Sequence, residues 1–67
     1  MSKYRLIESA WYLRPGQVAV WVYRCNDWHE VRRANGNCAD DLMERYRSAP
    51  DEEHRQMILR AAVERGE

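Results

Sequence analysis

The chain has 67 residues, and its 11 basic and 11 acidic side chains cancel to a net charge of zero. Because one domain of this length buries only about 60% of the unfolded chain's surface, a buried enzyme cleft is not expected. Two cysteines are too few for a disulfide scaffold, and the first residues lack the apolar run of a signal peptide or membrane span, so the sequence predicts a cytoplasmic protein.

The charges are distributed unevenly along the chain. Residues 1–36 carry 6 basic and 3 acidic side chains and residues 37–67 carry 5 basic and 8 acidic ones, which gives net charges of +3 and −3. All three tryptophans lie in the basic half. Ten of the 11 basic residues are arginine, which stacks on aromatic rings and pairs with carboxylate or phosphate better than lysine does.

The first predicted element is a β-hairpin whose strands cover residues 4–13 and 17–25. Both segments are rich in apolar and aromatic strand formers, and Pro15-Gly16 between them supplies the backbone angles of a tight reversal. We expect Arg14 to pair with Gln17 across this turn. The register then places these pairs on the core side of the sheet: Leu13 with Val18, Trp11 with Val20, Ser9 with Val22, and Ile7 with Arg24.

A third strand is predicted over residues 28–33, after a second reversal at Asn26-Asp27. Pairing Cys25 with Trp28 puts Val31 on the core side, opposite another valine. The same register puts Trp28, Glu30 and Arg32 on the other side of the sheet, which we call the outer face.

A first helix is predicted over residues 38–47. Asn37 is a suitable N-cap, and Asp40 and Asp41 would lie in the first turn, where carboxylates complement the helix dipole. One apolar stripe at helical spacing is expected to pack on the sheet: Ala39, Leu42, Met43 and Tyr46.

A second helix is predicted to follow and to end near Arg65 and Gly66. Ser48 with Asp51 three residues later resembles a capping box, and Pro50 is acceptable in a first turn. The apolar residues of this helix spread over roughly 240° of the helical wheel, more than one buried side needs. Either the first helix covers part of this stripe, or Leu59 and Val63 form a homodimer or partner contact.

The predicted order is β-β-β-α-α. This order corresponds to an α+β fold in which a three-stranded antiparallel sheet is followed by two helices packed on one face. With no repeat, linker or low-complexity segment to divide the chain, residues 1–67 are expected to form a single domain.

No residue pattern predicts catalysis, a cofactor or a metal. The spacings of Cys25, His29, Cys38 and His54 do not match those of zinc sites. His29 and Glu30 are neighbours on a strand, so their side chains point to opposite faces and cannot act as a proton-transfer pair. We therefore expect a protein that is not an enzyme.

The outer face collects aromatic residues interleaved with charges, including Tyr4 and Glu8. In the predicted register Trp21 lies opposite Arg32, where a guanidinium can stack on the indole, and Tyr23 lies between Glu8 and Glu30. Rigid aromatics and arginine dominate protein-binding hot spots. The expected partner-binding residues are Tyr12, Trp21, Tyr23, Trp28, Glu30 and Arg32.

The sequence thus favours a module that binds another protein or a nucleoprotein complex, without a membrane partner. Its size suits a small inhibitor or adaptor of the kind that phages and mobile elements direct against host machinery. An alternative is single-stranded nucleic acid bound by the aromatic and arginine residues. A second possible surface is acidic, although helix capping explains most of its members: Asp40, Asp41, Glu44, Asp51, Glu52 and Glu53.

Overall fold

The predicted βββαα architecture is confirmed by a computed structural model, which describes residues 3–65. The sheet is antiparallel, and β2 lies between β1 and β3. The elements are β1 (Lys3–Ile7), β2 (Gln17–Arg24), β3 (Asp27–Asn35), α1 (Gly36–Ser48) and α2 (Glu52–Glu64).

The first strand is shorter than predicted, and its register differs. Ile7 pairs with Ala19, and residues 8–16 form a loop between β1 and β2 instead of a tight hairpin. A turn does form at the predicted place, since Gly16 has a φ of 83° and the Gln17 amide donates to the Arg14 carbonyl, but it only ends the loop. The predicted pairing of Arg14 with Gln17 as the last rung of a hairpin is therefore wrong.

This change of register reverses the two faces of β1. Tyr4 and Leu6 lie on the core side, opposite Val22 and Val20, whereas the sequence placed Tyr4 on the outer face. The predicted register paired Ser9 with Val22 and Ile7 with Arg24 on the core side. The observed register pairs apolar residues there instead, and it is preferred because it buries more apolar surface. Trp11, expected in the core opposite Val20, instead lies in the loop and is 96% exposed.

The turn between β2 and β3 lies one residue earlier than predicted. Cys25 and Asn26 have positive φ angles of 54° and 63°, and Arg24 pairs with Asp27. Positive φ at two central residues is the pattern of the hairpin turn that matches the twist of the flanking strands.

A β-bulge then shifts the register within β3. Trp21 pairs with Glu30 but Val20 pairs with Arg32, so Val31 is an extra residue in β3. Val31 packs against the core as predicted. Beyond the bulge, however, the side chains change face, and Arg32 lies on the helix side with Val20. The prediction that Arg32 lies on the outer face is wrong for this reason.

The core lies between one face of the sheet and both helices. Val18 and Val20 are 1% exposed, and Leu59 of α2 is completely buried against them. The buried cluster consists of Val18, Val20, Ala34, Ala39, Leu42, Leu59 and Ala62.

Burial of Leu59 changes the interpretation of the wide apolar stripe on α2. Leu59 has no surface to offer to a second chain, so its predicted dimer contact is wrong. Ile58 and Val63 are half-buried and pack against the same core, while Met57 is 59% exposed. Most apolar residues of this stripe thus pack within the domain. A dimer contact through Val63 stays a prediction.

The helix starts also differ from the predicted ones. Because α1 begins at Gly36, Asp40 and Asp41 lie beyond its first turn, and its N-cap is Asn35 instead of Asn37. Ser48 is the last residue of α1, so it does not form the predicted capping box with Asp51. The expected helix end at Gly66 lies outside the described residues. Neither of the helices found within residues 3–65 has the length and apolar character needed to cross a membrane.

Gln56 joins α2 to the free edge of the sheet. Its side-chain oxygen accepts from the Tyr4 amide at 2.6 Å, and its side-chain nitrogen donates to the Tyr4 carbonyl at 2.9 Å. The amide thereby occupies backbone groups of β1 that would otherwise be open to pairing with another strand.

We expect Leu59→Ala to lower the free energy of unfolding by about 2–5 kcal/mol, because it removes buried methyl groups and leaves a cavity. Met57→Ala on the same helix is a matched control, with an expected change within about 0.5 kcal/mol. Urea unfolding followed by circular dichroism measures both. Equal effects of the two substitutions would contradict the burial of Leu59.

Candidate functional site

The outer face of the sheet points away from both helices. It is formed by alternate residues of the three strands, whose positions follow from their pairing with β2. These residues are Lys3, Arg5, Ile7, Ala19, Trp21, Tyr23, Trp28, Glu30 and Arg33.

Two aromatic pairs lie on this face. Trp21 Nε1 donates to the Tyr12 hydroxyl at 3.0 Å, which fixes the loop of residues 8–16 over the sheet. Tyr23 and Trp28 are cross-strand partners with ring centroids 5.4 Å apart in an edge-to-face arrangement. These contacts restrict the side chains to one arrangement, so a partner would meet a preformed aromatic surface.

Two arginines stack on these rings, although neither is the one that the sequence indicated. The guanidinium of Arg5 lies 4.6 Å from the centroid of a Trp28 ring, and that of Arg33 lies 5.1 Å from the Tyr12 ring. Arg33 Nε also donates to Glu30 at 2.9 Å. The bulge at Val31 explains why Arg33 occupies the outer face.

A cavity of about 300 Å³ lies between the loop and the outer face. Its size is at the lower limit for small-molecule pockets and is sufficient for one large side chain of a partner. Aromatic and apolar side chains form most of its wall, with one arginine at the edge: Arg5, Ile7, Ala10, Tyr12, Trp21 and Trp28.

The outer face is more basic than the sequence predicts. Among the described residues it carries three cations, Lys3, Arg5 and Arg33, against the carboxylate of Glu30. Tyr23 was expected to lie between Glu8 and Glu30, but its β1 partner is Lys3. Glu8 lies after β1 and forms an ion pair with Arg47 of α1.

The structure therefore brings together five of the six predicted partner-binding residues. The outer face carries Trp21, Tyr23, Trp28 and Glu30, and the loop places Tyr12 over it. Arg32 lies on the opposite side of the sheet.

The two stacked arginines, Arg5 and Arg33, are not among the predicted partner-binding residues, although the sequence places both near the sheet. The register assumed for β1 paired Ile7 with Arg24 and so gave Arg5 no place beside an outer-face aromatic. Arg32 and Arg33 are adjacent on a strand, so their side chains point to opposite faces. A bulge before them changes which of the two points outward. A single sequence gives no direct signal of such a bulge.

Several acidic residues of the helical half have partners within the domain. Asp51 accepts from the His54 amide at 2.9 Å as the N-cap of α2, and Glu52 accepts from the Gln56 side chain at 2.8 Å. Asp41 lies 3.3 Å from Arg45 Nε. All six predicted carboxylates are exposed, so their surface stays available, but capping and local ion pairs account for half of them.

The cysteines and histidines are dispersed. Cys25 and Cys38 are exposed free thiols. His29 Nε2 lies 3.1 Å from the Arg24 carbonyl oxygen, and His54 contacts Asp51. Across the part of the chain that the structure describes, no group of three or more histidine, cysteine, aspartate or glutamate side chains is arranged to hold a metal ion.

Comparisons with protein-family models, curated proteins and solved structures give no match to this chain. Its own geometry therefore has to support any statement about function.

The contact between Asp51 and His54 has a defined effect on titration. The hydrogen bond from the His54 amide, followed by that from the ring, lowers the pKa of Asp51. The hydrogen bond to Asp51 raises the pKa of His54 above its ordinary value. The contribution of His54 to stability is therefore complete below pH 6.5 and is lost as the pH rises through the raised pKa. The contribution of Asp51 is complete above pH 3.8 and is lost as the pH falls through the lowered pKa.

We expect Asp51→Asn to return the pKa of His54 toward its ordinary value while keeping α2, because asparagine is an equally good N-cap. NMR titration of the His54 ring protons measures this pKa. An identical His54 pKa in the wild type and the variant would contradict the contact.

Proposed function

We propose that this protein is a non-enzymatic binding module that docks on another protein, alone or within a nucleoprotein complex, through the outer face of its sheet. The observation that supports this proposal is the preformed cluster in which Tyr12, Trp21 and Trp28 surround a cavity, with Arg5 stacked at its edge.

The residue types and their rigidity favour protein binding. Tryptophan, tyrosine and arginine contribute most to binding at protein interfaces, because they desolvate large areas with few rotatable bonds. Here the hydrogen bond of Trp21 to Tyr12 and the stacking of Arg5 on Trp28 already order these side chains in the single chain. Little conformational entropy is then lost on association.

The charge of the surface indicates the chemistry of the partner. Lys3 and Arg5 have no acidic neighbour on β1, whereas Arg33 is bonded to Glu30. We expect a partner segment that inserts one apolar or aromatic side chain into the cavity and presents carboxylates to Lys3 and Arg5. Such complementarity mainly increases the association rate and the specificity.

The size of the domain suggests how docking could have an effect. A chain of this length acts by covering a site on a larger protein or by joining two proteins, which are the roles of an inhibitor or an adaptor. A phage or mobile-element origin, with host machinery as the target, belongs to the same proposal.

Single-stranded nucleic acid is the second candidate, and one observation favours it. Glu8, which the predicted register placed beside Tyr23 on the outer face, lies off that face and pairs with Arg47, so its carboxylate does not repel a phosphate there. The remaining surface combines exposed rings with Lys3 and Arg5, and bases stack on rings while cations contact phosphates.

Capture of a partner by the tagged protein tests the first proposal. We expect Trp28→Ala to weaken binding of the captured protein by about 30-fold or more, the effect of removing a hot-spot residue. Arg5→Ala should also weaken it, whereas Met57→Ala, which removes an exposed apolar side chain on the helix side, should not. Circular dichroism and thermal melting establish that each variant is folded.

Nuclease treatment and salt separate the two candidates. A protein partner that survives nuclease and is lost in Trp28→Ala supports the protein-binding proposal. Capture that disappears with nuclease, together with binding to oligo-dT that falls steeply as salt increases, supports nucleic-acid binding instead. Equal capture by Trp28→Ala and Met57→Ala contradicts both uses of the outer face.

A further inference from the structure

A second cavity lies on the helix side of the sheet, where the end of β3, one side of α1 and the end of α2 meet. Its volume is about 140 Å³. Eight residues line it, and they include three arginines, one carboxylate and several apolar side chains, among them Arg32, Arg45, Arg65, Asp41, Leu42 and Ala62.

Arg32, which lines this cavity, also has one unsatisfied group. Its Nη1 atom is buried and has no hydrogen-bond partner among residues 3–65. Because a buried donor without a partner is unfavourable, Arg32 favours a ligand in the adjoining cavity that accepts hydrogen bonds and carries negative charge. The bulge at Val31 is the reason that Arg32 lies on this side of the sheet.

The charge around the cavity is not balanced by the protein groups that line it. Three guanidinium groups face one carboxylate, that of Asp41, which already lies 3.3 Å from Arg45 Nε. The last turn of α2 also ends here, and the partial negative charge of its dipole, about −0.5, offsets only part of this excess. A net charge of about +2 from the side chains therefore remains.

We propose that this cavity binds a doubly charged oxyanion, either free phosphate or the phosphate group of a monoester. Arg32 donates from the part of its guanidinium group that lines the cavity, and Arg45 and Arg65 donate from the rim. Guanidinium groups match the oxygen geometry of phosphate and form charge-assisted hydrogen bonds with it.

The cavity size limits what can enter. A volume of about 140 Å³ corresponds to four or five water molecules at about 30 Å³ each. This space accepts a phosphate group, and the three arginines around it favour the charged end of a monoester over its neutral part. A monoester would insert its phosphate and leave the rest of the molecule outside.

This site is independent of the outer face, because the sheet separates the two. Its test therefore does not depend on whether the outer face binds a protein.

The experiment titrates the full ¹⁵N-labelled chain with sodium phosphate, and with sodium chloride at the same ionic strength. We expect phosphate, but not chloride, to shift the Arg32 Nε signal and the Leu42 and Ala62 amide signals along a saturating curve. Arg45→Gln and Arg65→Gln should each weaken phosphate binding about tenfold, since each removes a charge-assisted hydrogen bond. Asp41→Asn should strengthen it by removing the competing carboxylate.

Arg60→Gln is the matched control, because it removes the same charge from an exposed position on α2 that pairs with Glu64 and lies outside the cavity.

Two further titrations of the same protein use phenyl phosphate and acetate. Tighter binding of phenyl phosphate identifies a monoester as the ligand, and tighter binding of inorganic phosphate identifies the free ion. Three results overturn the proposal: equal shifts with phosphate and chloride, equal binding of acetate and phosphate, or an Arg60→Gln effect as large as that of Arg45→Gln. Since Arg45 and Arg65 are exposed, their variants test the site without altering the core.

Discussion

One extra residue in β3 determines the chemistry of both sides of the sheet. The register of β3 against β2 shifts between Trp21 and Val20, and the bulge at Val31 takes up the shift. As a result Arg33 points outward, over the Tyr12 ring, and Arg32 points toward the helices with a buried nitrogen that lacks a partner. In an uninterrupted strand the two arginines would exchange faces, so Arg32 would point outward and Arg33 would point toward the helices.

The loop of residues 8–16 is the second element on which the outer face depends. A tight hairpin would leave the sheet flat and open, whereas the loop returns Tyr12 to the sheet, where its hydroxyl accepts from Trp21. The loop thereby forms one wall of the cavity that Arg5 and Trp28 close on the other side. The core contains few large side chains. The contact between Tyr12 and Trp21 and the hydrogen bonds of the Gln56 amide to β1 therefore also help to hold the three strands in register.

The sequence was sufficient to predict the order of the elements, the faces of β2 and the outward direction of Trp28 and Glu30. The faces of β2 follow from the alternation of Val18, Val20 and Val22 with Ala19, Trp21 and Tyr23, because only one orientation of the strand buries all three valines. The predicted pairing of β1 is wrong, because the turn at Pro15-Gly16 ends the loop of residues 8–16 and does not join the two strands directly. The bulge had no local signal, since the adjacent Arg32 and Arg33 are chemically identical and either can point outward. Errors of one residue in register therefore changed which arginines belong to each site, while the architecture was unaffected.

The most direct test of this account is a measurement of nuclear Overhauser effects in the isolated protein, because both proposed sites require the bulge. The account predicts contacts from the Arg33 side chain to the Tyr12 ring, and from the Arg32 side chain to the methyl groups of Leu42 or Ala62. Contacts from Arg32 to the Trp21 indole would show an uninterrupted register in β3. That result would contradict the arrangement of arginines on which both surfaces are built.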